Sequence, residues 1–329
     1  MSGSAINSYS SSEEAAFYNT PEKAYVRERW LNRAKVEAKR KGKSVIKFLT
    51  LPGVECYDVL LFKANNLLNT LSETQYDPSG LFFCEKDAER YTRIKEKLTF
   101  AGSSNTTYEQ FVGVGGYNAS SKANQWFPFD VLNLDFSGPL LRPLGLLEAV
   151  QKTVQIQAAK KCSFTLFLTV KCDPQIESQD RVQELRQGLR NNLNELATKD
   201  FREIFEEKYP DYPMKDMEFC SFMSLALPKS MIKHGMQYMF DTKCVERHSY
   251  VGSGHKTRML SFIFTYEYMG MYDLASNPGY DTLTKLYPSR VKELIEKDGV
   301  DVNELLVNDA GLKAKCEGVV EENKRLTTK

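Results

Sequence analysis

Asp135 is the residue whose setting most suggests chemistry. The run from Phe129 to Asp135 is apolar and strand-forming, and it breaks at once into Phe136, Ser137, Gly138 and Pro139. A buried strand that ends this way delivers a carboxylate to the edge of a sheet, within reach of a ligand. There the acid can orient an amino group of a cofactor or a substrate. The Phe136 carbonyl can accept a second hydrogen bond, and the Phe136 ring can stack on a planar group. The competing reading is an Asx-type turn that Asp135 caps by itself. Glu85 ends an earlier apolar run, Leu81 to Cys84. An acid in that place can accept two hydrogen bonds from a ribose diol; alternatively it pairs with Lys86. Asp87 reads as a helix N-cap, and Asp130, at the other end of its strand, reads as structural.

The segment Leu49 to Gly53 adds a third feature. A strand that ends in Pro52 and Gly53 and feeds a helix lets a ligand approach the backbone, with free N–H groups beyond it. An ordinary strand-to-helix turn has the same pattern. Gly113 to Gly116 lacks the Lys-Ser/Thr of a phosphate-binding loop. His234, His248 and His255 have no metal-ligand spacing, which argues against zinc.

The elements that must position these residues follow from the pattern of the chain. Residues 1–20, rich in Ser and Asn, read as a disordered tail. Thr20 and Pro21 start a basic helix that ends before Gly42, so that 21–43 form a unit. Its Arg33, Lys39, Arg40 and Lys41, with Lys43, make a modest candidate patch for nucleic-acid phosphates, although a solvated helix face is the favoured reading. Strands are predicted at 44–51, 81–85, 108–115, 129–135 and 163–170, with helices at about 55–71, 87–98 and 142–161. The fifth strand is apolar on both faces, as in a parallel sheet covered by helices on both sides. A helical insertion spans about 178–240. Within it Gln179 to Asp200 carries an apolar stripe, another helix covers 200–208, Met217 to Leu227 is ambiguous, and Pro228 starts a further helix. A hairpin of 244–251 and 258–266 follows, and 276–329 form a helical extension. The main domain is thus 44–275.

Composition sets the limits. The 329 residues have a net charge of +1, so no global field draws the protein to nucleic acid or anionic membrane. Seven scattered cysteines favour reduced thiols in a cytoplasmic protein. No apolar run of membrane-spanning length and no signal peptide is read.

The order of elements and motifs resembles the class I S-adenosylmethionine-dependent methyltransferase superfamily over about residues 44–268. The resemblance rests on Leu49 to Gly53, Glu85, the run ending in Asp135, and the terminal antiparallel pair. It implies an α/β fold with a Rossmann-like, mostly parallel seven-stranded sheet, helices on both faces and a helical insertion. It also implies S-adenosylmethionine as cofactor. Leu51, Pro52 and Gly53 would lie under its methionine part, Glu85 and the adjacent Lys86 at the ribose, and Gly115 beside the adenine at the tip of strand three. Asp135, Phe136 and Ser137 would flank the transferable methyl. The first motif departs from the family by lacking its acid and repeated glycines. Asp135-Phe-Ser-Gly138 departs from the Asp/Asn-Pro-Pro-Tyr/Phe of DNA amino-group methylases. The implied activity is methyl transfer to a nucleic-acid base or a similar planar amino group. The rival readings are a catalytically inactive interaction subunit of a larger complex and a dinucleotide-dependent oxidoreductase.

Overall fold

Leu81, Phe82, Phe83 and Cys84 are all buried and point alternately to two different cores. That alternation is the plan of the molecule. The computed structural model describes residues 18–72, 75–115, 121–136, 138–142, 145–195, 216–252, 257–270 and 278–327. The chain is α/β, with one eight-stranded mixed sheet.

Its strands are β1 (Phe48–Thr50), β2 (Leu81–Cys84), β3 (Gly102–Ser104), β4 (Val131–Asp135), β5 (Phe164–Cys172), β6 (Phe240–Tyr250), β7 (Arg258–Tyr268) and β8 (Val300–Asp301). The spatial order is β3-β2-β1-β4-β5-β7-β6-β8. Five of the seven pairings are parallel, and the two that join β7 to β5 and to β6 are antiparallel. The order reverses between β1 and β4, which opens a crevice beyond their carboxyl ends.

Helices cover both faces. On one face lie α1 (Pro21–Arg40) and α2 (Tyr57–Ala64), joined late in the chain by α10 (Val302–Asn308) and α11 (Ala310–Thr327). Trp30 of α1 stacks on Phe167 of β5 with ring centroids 5.6 Å apart. The other face carries α4 (Tyr108–Val112), α6 (Leu146–Ala159) and α8 (Asp216–Gln237). The remaining helices are α3 (Ala88–Lys97), α5 (Ser121–Trp126), α7 (Gln179–Glu195) and α9 (Pro278–Glu296). No helix of the described residues is long and apolar enough to cross a membrane.

Several elements differ from the sequence expectation. The third strand is Gly102–Ser104, and the expected strand at 108–115 is instead helix α4. Thr107 and Gln110 form a reciprocal capping box, and Gly113 at φ 82° ends the helix. Gly102 explains how so small a strand packs. A Cβ there would lie 2.8 Å from the Phe82 ring and would also collide with Trp126. Gly102→Ala is therefore expected to cost about 1–3 kcal/mol, to be read from chemical denaturation.

The sheet has eight strands rather than seven, because Val300–Asp301 pairs in parallel with His248 and Ser249 of β6. So short a strand carries no periodic pattern. It is held instead by side chains: Arg258 bonds Asp301 at 2.6 Å, and the Asp301 side chain caps α10. Pro228 lies inside α8 instead of starting a helix, since the chain from Asp216 to Gln237 is one helix. The helix expected at 200–208 and His255 lie outside the described residues. All seven cysteines are free thiols.

Arg29 of α1 grips Glu246 of β6 with two hydrogen bonds of 2.7 and 2.8 Å, and His248 adds a contact at 3.3 Å. Burial alone would raise the Glu246 carboxyl, but hydrogen bonds from His248 and Arg29 override it and hold it down at about 2, from an ordinary 4.5. A carboxylate depressed by folding stabilises the fold above its unfolded pKa and loses that contribution as pH falls through the folded one. The difference in melting temperature between the wild type and Glu246→Gln is therefore expected to be full at pH 6 and to shrink between about pH 4.5 and pH 2.

Candidate functional site

Alternation along β1 and β4 sends Thr50, Asn133 and Asp135 to the face covered by α1 and α2. Leu49, Leu132 and Leu134 go to the other. Thr50 and Asn133 are register partners. The buried Asp58 of α2 bridges them. Its carboxylate accepts from the Thr50 hydroxyl at 2.5 Å and from the Asn133 amide at 2.9 Å. The Leu51 N–H donates to the Asn133 carbonyl at 3.1 Å, and the Cys56 N–H to the Gly53 carbonyl at 2.9 Å. These bonds fix the turn through buried Pro52, with Cys56 at φ 54° just before α2.

Asp135 ends β4 half-buried and accepts no hydrogen bond from any described residue. With Leu51, Gly53, Asp58 and Asn133 it lines a cavity of about 20 Å³, room for roughly one water molecule. The rest of that wall comes from residues that the sequence reading did not single out. Tyr18 lies against Gly53, its ring atoms 3.5–3.6 Å from where a Gly53 Cβ would be. The Lys23 ammonium sits 4.4 Å from the centre of the Tyr18 ring. Arg27 donates to the Tyr18 carbonyl at 2.7 Å. Burial first, and then the negative charges of Asp135 and Glu85, push the Tyr18 phenol up to about 12 against the opposing charge of Arg27. Burial lowers the Lys23 and Arg27 cations, while Asp135 draws both back up and Asp58 draws up Arg27.

Three buried polar atoms facing this region have no hydrogen-bond partner among the described residues: Arg27 Nη1, Trp30 Nε1 and Asn133 Oδ1. A signal for α1 existed in the sequence, because Lys23, Arg27, Trp30 and Ala34 share one helical stripe. The basic residues were legible there only as a charged helix. Asp58 gave no signal, since an acid in the first turn of a helix is ordinary.

The other predicted site residues are more dispersed. Glu85 follows β2 half-buried. Its Oε1 accepts from the Asp87 N–H at 2.8 Å, and burial raises its carboxyl although the backbone donors of Asp87 and Lys86 oppose this. Asp87 caps α3 by accepting from the Arg90 N–H at 2.8 Å. Lys86 is exposed. Gly115 is exposed at φ 79° after α4 and is not at a strand tip. Ser104 ends β3, and the neighbouring Asn105 amide donates to the Glu85 carbonyl at 2.8 Å. Phe136 turns away from Asp135 into the opposite core, 5% exposed, with the Tyr108 ring 6.1 Å away. Its ring is therefore not presented to the crevice. Ser137 lies outside the described residues.

The basic patch sits at the opposite pole of the sheet. Lys41 and Lys43 bind Asp130, at 2.5 and 3.0 Å, at the start of β4. Arg40 binds Glu37 at 2.7 Å. Lys39 is exposed and Arg33 is partly buried. Asp130 and Asp135 are separated by the whole of β4, about 17 Å. A larger cavity, about 260 Å³, lies between the β4–α6 connection and helices α7 and α8. Arg142, Arg181, Lys229 and Lys233 line it, with Glu148 and Glu184. Arg181 bonds both of these glutamates at 2.7 Å.

Among curated proteins none matches the chain. A family model described as PP_RS20740-like matches residues 16–273, a span that begins just before Tyr18 and takes in the crevice, the insertion and both strands of the antiparallel pair. The chain belongs to the PP_RS20740-like family.

Proposed function

We propose that the crevice between β1 and β4 binds an adenosyl cofactor and that the protein transfers its methyl group to a planar amino group, such as that of a nucleic-acid base. The observation that carries this reading is the juxtaposition of an unengaged strand-end carboxylate, Asp135, with the Gly53 turn at the point where strand order reverses. The strand order supports it too, because a Rossmann-like sheet extended by an antiparallel β7 is what the methyltransferase resemblance implies. The polar groups fit such a cofactor. Arg27 Nη1 and Trp30 Nε1 are spare donors for a carboxylate, and Asn133 Oδ1 is an acceptor for an ammonium. When bound, S-adenosylmethionine supplies a methyl group on a sulfonium that needs no further activation. The protein's task is then to hold donor and acceptor in line. Asp135 orients the acceptor's amino group through hydrogen bonding and need not act as a strong base. The test is calorimetry with S-adenosylhomocysteine, followed by transfer of labelled methyl to nucleic-acid pools. Absence of binding both to the wild type and to a variant without the Tyr18 ring sinks the reading.

A second reading has an observation of its own. Tyr18 rests on Gly53, where a nucleotide-binding turn would meet its ligand. A relative that had lost chemistry and kept the fold as an interaction subunit would be expected to fill its crevice in this way. Absence of transfer to any acceptor, whether or not the cofactor binds, would support that reading.

A further inference from the structure

We infer that Tyr18 is a displaceable bolt. Its ring stands in the ligand's place over Gly53, and behind it waits a set of unpaired polar groups that a ligand takes up when the ring leaves.

Two independent observations carry this. The first is occupancy. The Tyr18 ring covers the only glycine of the β1–α2 turn, 3.5 Å from its Cβ position, and the space left beside it is about 20 Å³. A small-molecule site needs roughly 300 Å³ or more, so nothing the size of a nucleoside enters while the ring is in place. The second is the lining. Arg27, Trp30 and Asn133 are 8%, 4% and 2% exposed, and each keeps a polar atom without a partner among the described residues. Buried polar groups in folded proteins are nearly always bonded, and a cluster of exceptions marks a place that something else completes.

The holding contacts are of a kind that can be released. Tyr18 is only partly buried. Among the described residues it is held by a cation–ring contact from Lys23 and by one hydrogen bond from Arg27 to its carbonyl, and its ring belongs to neither core cluster. Its hydroxyl lies in the field of two carboxylates, Asp135 and Glu85, so no anionic form of the ring is favoured there. A ligand with a cationic centre would meet the same two acids favourably. The ring and the ligand thus compete for one volume, and ligand binding and displacement of the Tyr18 side chain are linked.

The ligand's identity rests on the methyl-transfer reading; the bolt does not. The experiment therefore has two arms. In the first, Tyr18→Ala and Tyr18→Phe are titrated with S-adenosylhomocysteine. Tyr18→Ala is expected to bind at least about tenfold tighter than wild type, and Tyr18→Phe, which keeps the ring, within about twofold. Weaker binding by Tyr18→Ala would make Tyr18 a wall of the site and would overturn the bolt. In the second arm no ligand is used. A Trp126→Phe background leaves Trp30 as the sole indole of the two in the chain, and acrylamide quenching reports its access. Quenching is expected to rise severalfold when Tyr18→Ala is added and not when Tyr18→Phe is added. Unchanged quenching would overturn the bolt even if the cofactor binds. Increased quenching with no cofactor binding by any variant would keep the bolt and remove the methyl-transfer reading.

Discussion

If the proposed methyl transfer is the activity, replacing Asp135 with alanine is expected to lower it by at least about a hundredfold, while S-adenosylhomocysteine affinity changes only severalfold. The two effects separate because of where the carboxylate stands. The Asp58, Thr50 and Asn133 bonds that shape the turn do not involve Asp135. Removing its side chain therefore leaves the β1 turn and the buried part of the crevice intact. What is lost is an acceptor that no described residue uses, and with it the orientation of the incoming amino group. Misalignment of the reacting atoms by about 1 Å is enough for a loss of this size. Asp135→Asn keeps the shape and one acceptor oxygen but adds donors that face an amino group unfavourably, so an intermediate loss is expected. Single-turnover rates and calorimetry on the same variants check both. Equal losses of affinity and rate in Asp135→Ala would place the carboxylate on the cofactor and not on the acceptor.

The largest stability effect is expected at Asp58. Asp58→Ala should cost about 3–5 kcal/mol, the range found when one member of a buried ionic arrangement is removed. Asp58 is 6% exposed and its charge supports the buried Arg27 guanidinium, which desolvation otherwise disfavours. Its loss also strands the Thr50 hydroxyl and the Asn133 amide, both of which donate to it inside the protein. Chemical denaturation gives the magnitude. The double variant Asp58→Ala with Arg27→Met is expected to recover part of the loss, since the cation that needed Asp58 is gone. A double variant as unstable as the sum of the two singles would mean that Arg27 and Asp58 do not act on each other.

How much of this was legible follows from which signals are local. β4 and β5 read clearly because a strand covered on both faces is a nearly continuous apolar run, and the antiparallel pair read clearly from its length. β3 did not. It is three residues of Gly and Ser, with no side-chain pattern, and it owes its place to pairing with β2 and to the aromatic rings of Phe82 and Trp126 over Gly102. The apolar run that stood in for it, Tyr108 to Gly115, is helical because of a cap at Thr107 and Gln110. That cap fits the Thr-x-x-Gln pattern and could have been read. Asp135 and the Gly53 turn, which line one cavity, stood out in the sequence because strand ends have a signature. Tyr18, Arg27 and Asp58 did not, because they meet the crevice from helices and from the chain before α1. No spacing in the sequence encodes that approach. Phe136 was misjudged for a simpler reason: adjacent residues of an extended chain point to opposite faces, so it and Asp135 cannot serve one crevice.

That opposition gives β4 the character of a one-bit code. Asn133 and Asp135 face α1 and α2, and Leu132, Leu134 and Phe136 face α6. A single-residue insertion or deletion between Val131 and Asp135 would leave composition, charge and strand propensity almost untouched. Yet it would invert every later position, driving a carboxylate into a bed of aromatic rings and a phenyl into the crevice. Divergent copies of this chain should therefore tolerate exchange of residues within β4 far more readily than any change in its length.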